Sequence, residues 1–422
     1  MEKRKILKIT LFVLIGILLI NTGVLAYTLI RDYNSTSPDD PLHPFSNGTV
    51  TLSGEDFDVE LFKGTFLASE EEGIANTVIS PLSIRIAMAM ATEGASADTR
   101  SEMQEVLELD ENSKTYYREL LQDILNQEDI TLNIANSVWS REGLEFKPEY
   151  MNILDQYYYA EATSLDFSDT SSVDIINNWV DEKTEGKIDS ILEDINPRAI
   201  LYLINAIYFN ADWTEQFTEE YTREKDFTLK DGSKIKTDLM YMSSDFQYQE
   251  NKKFQAVELP YGEEKRFVMR VYLPKEGITI DSFINDLTQE DINKWKNQFD
   301  LREGDLELPK FKTEYTQKLN SVLEALGIEK AFNESQANFE NMIIIEGEDV
   351  YISEVKHRTY IDVSERGTEA AAVTSVGMVA TGMPLKEPKR FEMVVNRPFF
   401  FTIDDKEKNE TLFMGVILNP KE

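Results

Sequence analysis

Hydrophobic positions change their period several times along the chain, and each change marks an element. Asp56 to Ala68 (DFDVELFKGTFLA) and Pro81 to Glu93 carry apolar residues at helical spacing, the second opened by Ser80-Pro81 and stopped by Gly94. Ile130 to Trp139 (ITLNIANSVW) and Ile200 to Phe209 are near-continuous runs of aliphatic and aromatic residues, the pattern of strands buried on both faces. Ser172 to Leu192 predicts an amphipathic helix broken at Gly186, and Gln317 to Leu326 a helix ended by Gly327. Phe267 to Leu273 and Met393 to Ile403 read as further strands, and no solenoid-type repeat is present. Helices first, then mixed strands and helices, predict an α+β domain.

The N-terminal pattern is different. EKRK and Lys8 precede an almost uncharged run from Ile9 to Ile30, so residues 1–30 read as a signal peptide or signal anchor. The basic flank places that end in the cytoplasm and the body outside, so the expected location is extracellular, either secreted or anchored to the outer face of the cell membrane. Ala26 before Tyr27 offers a cleavage point, but the apolar run continues beyond it, and cleavage stays open. Residues 31–54 form a polar tether, rich in Ser, Pro, Asp and Asn, ahead of a body at 55–422. Glycosylation sequons stand at Asn34 and Asn47 in the tether and at Asn333 and Asn409 in the body.

Composition then excludes several functions. The 422 residues are 41% hydrophobic, enough for one large core. The formal charge of −34 is the wrong sign for binding nucleic acid, whose phosphates are neutralised by Lys and Arg, and it disfavours heparin-like polyanions for the same reason. The absence of Cys removes disulfides, thiolate nucleophiles and Cys-based zinc sites. Only His43 and His357 could serve a histidine-dependent active site, and His43 lies in the Pro-flanked stretch DDPLHPFSNG. No metal, no cofactor and no enzymatic activity are expected.

Near the C-terminus, Glu365 to Met378 reads ERGTEAAAVTSVGM, followed further on by the strand-like VVNRPFFF. Alanine content alone permits a helix. Yet Thr368, Ala370, Ala372, Thr374, Val376 and Met378 form an alternating set, uncharged and free of proline, that could line one face of a strand. With NTVISPLSIRIAMAMATEGASADTRSEM (Asn76 to Met103), LINAIYFNADW (Leu203 to Trp213), LELPKFK (Leu306 to Lys312) and ETLFMGVILNP (Glu410 to Pro420) in that order, the chain from about Asp56 onward resembles the serpins, of prokaryotic type.

The resemblance implies the serpin fold, with three β-sheets, about nine helices and an exposed reactive loop. It implies an inhibitor of serine proteases that acts once, by loop cleavage, acyl-enzyme trapping and insertion of the cut loop as a new strand. Matched residue by residue, the hinge is Glu365, Gly367, Thr368, Glu369, Ala370, Ala371 and Ala372. The reactive bond falls at Thr381-Gly382, with Met378-Val379 as the alternative. Ser80, Ser83, Asn178 and His357 match the shutter beneath the large sheet, Trp213 the tryptophan where insertion begins, and Asn205 lies on the strand leading to it. The uncharged loop suits elastase-, chymotrypsin- or subtilisin-like enzymes. Glu102 to Asn112 (EMQEVLELDEN), the stretch matched to a polyanion-binding helix, has no Lys or Arg. A monomer is expected. The competing expectation is a non-inhibitory serpin acting as a binding or chaperone-like module; Val373 and Gly377 depart from the usual hinge pattern.

Overall fold

The computed structural model describes residues 57–128, 130–344, 349–368 and 390–422. The proposed leader and the whole tether, Glu369 to Ala372, and both candidate reactive bonds lie outside them. Among the described residues there are nine α-helices and three sheets, of nine, six and two strands. None of the helices is long and apolar enough to cross a membrane.

The six-stranded sheet holds the candidate site. Its order is Phe311–Lys318, Ile352–Val363, Gly367–Thr368, Leu201–Asp212, Ile130–Arg141 and Glu161–Leu165. The run from Leu201 to Phe209 is buried at every position, which is why it shows no polar alternation. Helix Ser171–Lys183 lies across one face, where Ile176 and Val180 join Trp139, Tyr202, Tyr208 and Tyr360 in an apolar cluster. On the other side, helix Pro81–Gly94 is buried almost all round and packs against both the strand Leu201–Asp212 and the strand Glu410–Ile417 of the nine-stranded sheet. A helix apolar on every face fits such a sandwiched position.

The structure corrects four local expectations. Gly94 is the last residue of its helix, with no left-handed turn there; a Cβ on it would stand 2.6 Å from the Met342 Cβ, so close approach selects the glycine. The break expected at Gly186 is present, but the helix beginning at Ser171 ends at Lys183 and does not resume toward Leu192. Glu185 and Gly186 turn the chain with positive φ, and Ile188, Ile191 and Leu192 reach the core from a non-helical segment. Asn177 fixes that return, its side chain accepting from the amides of Ile191 and Leu192 and donating to the Leu192 carbonyl. Gln317 and Lys318 end a strand, and the helix that follows is only Asn320–Ala325. Met393 to Ile403 is two strands, Phe391–Val394 and Phe399–Asp405, with Pro398 in the gap and different neighbours on either side.

Candidate functional site

The site is a seam. The strands Leu201–Asp212 and Ile352–Val363 pair in parallel from Ile352↔Leu201 to Tyr360↔Tyr208. Above that point they part, and Gly367–Thr368 enters between them, antiparallel to both: Thr368 pairs with Val363 on one side and Ala211 on the other. The entry is made by a tight hairpin in which the Ser364 amide donates to the Gly367 carbonyl at 2.9 Å. Gly367 passes so close to the neighbouring strand that a Cβ would lie 2.1 Å from the Ala211 carbonyl oxygen.

Several groups hold the hairpin at the top of the seam. The Trp213 backbone N–H donates to Arg366 O at 2.8 Å, and its indole Nε1–H donates to Ser364 O at 2.9 Å. The indole stacks on Tyr261 at 4.4 Å, and the buried Tyr261 hydroxyl shares a 2.7 Å hydrogen bond with the buried Thr368 hydroxyl. Glu365 accepts from the Thr222 hydroxyl at 2.8 Å and pairs with Lys310 at 2.9 Å. Burial alone would raise the Glu365 carboxyl, but the bonds from Lys310 and Thr222 outweigh it and hold the group below its usual range.

Lower down, a polar cluster bridges the same two strands. His357 and Asn205 are register partners, and His357 Nδ1 lies 2.5 Å from Asn205 Oδ1. Nε2 of the same ring accepts from the Ser80 amide at 3.2 Å; a backbone N–H can only donate, so the ring proton is on Nδ1. The Asn205 amide nitrogen donates to Ser83 Oγ and to Asn136 Oδ1, and Ser80 caps its helix by accepting from the Ser83 amide. All five side chains are buried. Burial lowers the His357 pKa from 6.5 to about 3, so the imidazole is neutral.

Of the residues matched from sequence, Ser80, Ser83, His357 and Asn205 come together in this cluster, while Trp213, Glu365, Gly367 and Thr368 meet at the upper end. Asn178 does not join either group. It is exposed on the helix Ser171–Lys183, whereas the side chain of the neighbouring, half-buried Asn177 turns in to the backbone of Ile191 and Leu192. The amide that fills the cluster is Asn136, directly opposite Asn205 on the adjoining strand. ITLNIANSVW carries two asparagines in a hydrophobic strand, Asn133 and Asn136, and that is the available signal; it does not choose between them, and Tyr261, Thr222 and Lys310 have none. Glu102 to Asn112 straddles the end of helix Ala97–Val106 and the turn after it. Asn333 and Asn409 are exposed. Among the described residues no cluster of three or more His, Asp or Glu could hold a metal ion.

The described residues form a mixed α+β domain whose six-stranded sheet is parted at one end around Gly367–Thr368. The family described as Serpin (serine protease inhibitor) matches residues 53–420, and the chain belongs to it. It is 36% identical over 355 residues to an uncharacterized serpin-like protein of Thermococcus kodakarensis, covering 82% of this chain and 81% of that one. Among solved structures it resembles the native state of tengpin, a thermophilic serpin, with a TM-score of 0.78 and 36% identity over 86% of this chain and 92% of that one. Thyroxine-binding globulin in complex with thyroxine shares the fold, with a TM-score of 0.77 at 24% identity over 87% of this chain and 98% of that one.

Proposed function

We propose that this serpin is a single-use inhibitor of serine proteases. The observation that carries the reading is the seam: two residues of an incoming strand already sit between the upper ends of strands that are joined to each other below. In the proposed sequence, the protease serine attacks the carbonyl carbon of Thr381, forming an ester and releasing a new amino terminus at Gly382. The freed segment then zips downward between Leu201–Asp212 and Ile352–Val363, carrying the ester-linked protease before water can hydrolyse the bond. Placing the alternating set from Thr368 to Met378 against the core contributes on the order of 5 to 10 kcal/mol, and each net ladder hydrogen bond adds about 0.5 to 1.5 kcal/mol.

Two features of the described residues support this face assignment. Thr368, the first of the set, is fully buried, and the bond across the lower seam is a neutral histidine-to-amide bond that can break without stranding a charge. Glu369, Ala370, Ala371 and Ala372 continue the hinge in this reading, and elastase-, chymotrypsin- or subtilisin-like enzymes are its targets. The chain acts outside the cell as a monomer, with residues 1–30 directing export or anchoring. The second reading, a non-inhibitory binding module, draws on the fold shared with thyroxine-binding globulin.

Incubation with one enzyme of each of the three types separates the readings. Inhibition yields a complex that survives boiling in SDS, and mass spectrometry of the released C-terminal peptide finds Gly382 at its start, or Val379 if the bond is Met378-Val379. Cleavage by all three enzymes with no stable complex, and with no rise in melting temperature after the cut, selects the binding module.

A further inference from the structure

Beside the upper end of the seam, two strands of the nine-stranded sheet come apart. The ladder between Lys234–Glu250 and Phe254–Pro260 stops at Gln247↔Glu258. Beyond it the first strand stays with Asp300–Pro309 as far as Leu239↔Pro309, whereas Pro260 accepts from the Thr214 amide at 2.9 Å. The parting leaves a cavity of about 210 Å³.

Its walls combine buried apolar side chains with charged ones, most of them at the edge and one, Glu258, buried. Trp213, Met242, Phe246 and Leu259 line it, all buried, and Leu301 borders it at 66% exposure. The charged groups do not cancel. Lys406 is bound to Glu258 at 2.8 Å, and Arg270, which also holds Glu258 from behind the wall, is itself paired with Asp404. That leaves Glu215, which accepts from the Ser244 hydroxyl, and Asp245 against Lys265; Asp245 and Lys265 make no ion pair among the described residues. The edge is therefore net acidic, on a chain whose formal charge of −34 draws cations from a distance.

We propose that this cavity is a binding site for a small amine bearing one aromatic or cyclic apolar group. A purely apolar cavity of about 150 Å³ accepts benzene, so the larger space here fits one ring and a short arm. The ring would lie among Trp213, Phe246 and Leu301, and the ammonium would sit near Asp245 and Glu215, with indole the preferred aromatic neighbour of a cation. Trp213 is also the residue whose two N–H groups hold Ser364 and Arg366. A ligand that restrains the indole therefore steadies the hinge hairpin, and the site exists whether or not the chain traps proteases.

Calorimetric titration of the full chain with phenethylammonium tests the site, with phenethyl alcohol and phenylpropanoate as the neutral and anionic counterparts. The expected result is saturable binding of the amine at a Kd below about 1 mM, weaker binding of the alcohol, and weakest binding of the anion. Asp245→Asn, at an exposed position, is expected to weaken the amine about three- to five-fold, and Leu301→Trp, also at an exposed position, to abolish binding by filling the mouth. Amide exchange in the peptide spanning Ser364 to Thr368 is expected to slow at saturation. No saturable binding up to about 10 mM, or equal binding by Leu301→Trp, overturns the site. Tighter binding of the anion overturns the ligand class, and unchanged exchange at saturation overturns the link to the hinge.

Discussion

The two ends of the seam between Leu201–Asp212 and Ile352–Val363 are held by different chemistry. At the upper end the strands are already apart, and what fills the gap is clamped by an ion pair, a stacked indole and a hydroxyl pair. At the lower end the strands touch, and their side-chain link is a neutral cluster of one imidazole, two amides and two hydroxyls. A charge in the lower cluster would cost several kcal/mol to bury and would strongly resist rearrangement. Neutral hydrogen bonds, each contributing about 1 kcal/mol net, can exchange partners. In the proposed mechanism the upper end fixes where a strand enters, and the lower end sets how readily the rest of the seam opens.

The largest expected effect breaks the upper end. Thr368→Arg places a cation where the side chain is fully buried, at a cost of several kcal/mol. The number of inhibitor molecules consumed per protease inactivated is expected to rise at least about ten-fold while the loop is still cut; an unchanged ratio sinks the assigned face. At the lower end, Asn205→Ala removes the acceptor for His357 and the donor to Ser83 and Asn136. Urea unfolding is expected to show a loss of about 2 to 4 kcal/mol.

Acid sharpens the comparison because it acts on the lower end through His357. Its pKa is lowered in the folded chain to about 3, so the unfolded chain takes up the proton first as pH falls. The stability linked to this group is complete above about pH 6.5 and is lost toward pH 3, at about 1.4 kcal/mol per pH unit. Unfolding curves of the wild type and His357→Gln between pH 7 and about 4 are expected to converge; parallel curves would show that the imidazole is not the titrating group. Tyr261→Phe, which deletes only the bond to Thr368, is expected to cost about 1 kcal/mol. Smallest of all, Asn178→Ala should change stability by less than about 0.5 kcal/mol, whereas Asn136→Ala should cost more than that.

Much of this arrangement is legible in the sequence, but unevenly. Local patterning finds the buried strand at Leu201 and the helix at Pro81, since an all-apolar run and a Ser-Pro start need no tertiary knowledge. It overextends the helix at Ser171, because Ile188, Ile191 and Leu192 are apolar for the same core while the backbone has already turned at Glu185 and Gly186. The cluster around His357 is found only through family motifs. Its members come from four separate elements, and nothing local pairs residue 205 with residue 357. The same distance explains Asn178: one position along a helix turns a side chain by about 100°, which separates the inward Asn177 from its exposed neighbour. Asn136 follows from strand register, which hydrophobic pattern alone does not fix where both strands are buried on both faces, as they are from Ala135 to Ser140 and at Leu201 to Phe209.

The strand that borders the seam, Leu201–Asp212, is 12 residues long. At about 3.3 Å per residue, a segment that zips along it from top to bottom advances by about 40 Å, comparable with the diameter of a small protein. Spread over that path, about 10 kcal/mol of insertion energy corresponds to an average pull on the order of 15 piconewtons on whatever is attached to the moving end. The sheet would then work as a loaded spring with a stroke set by strand length, and shortening the seam would reduce how far a captured partner is dragged before it would reduce how tightly it is held.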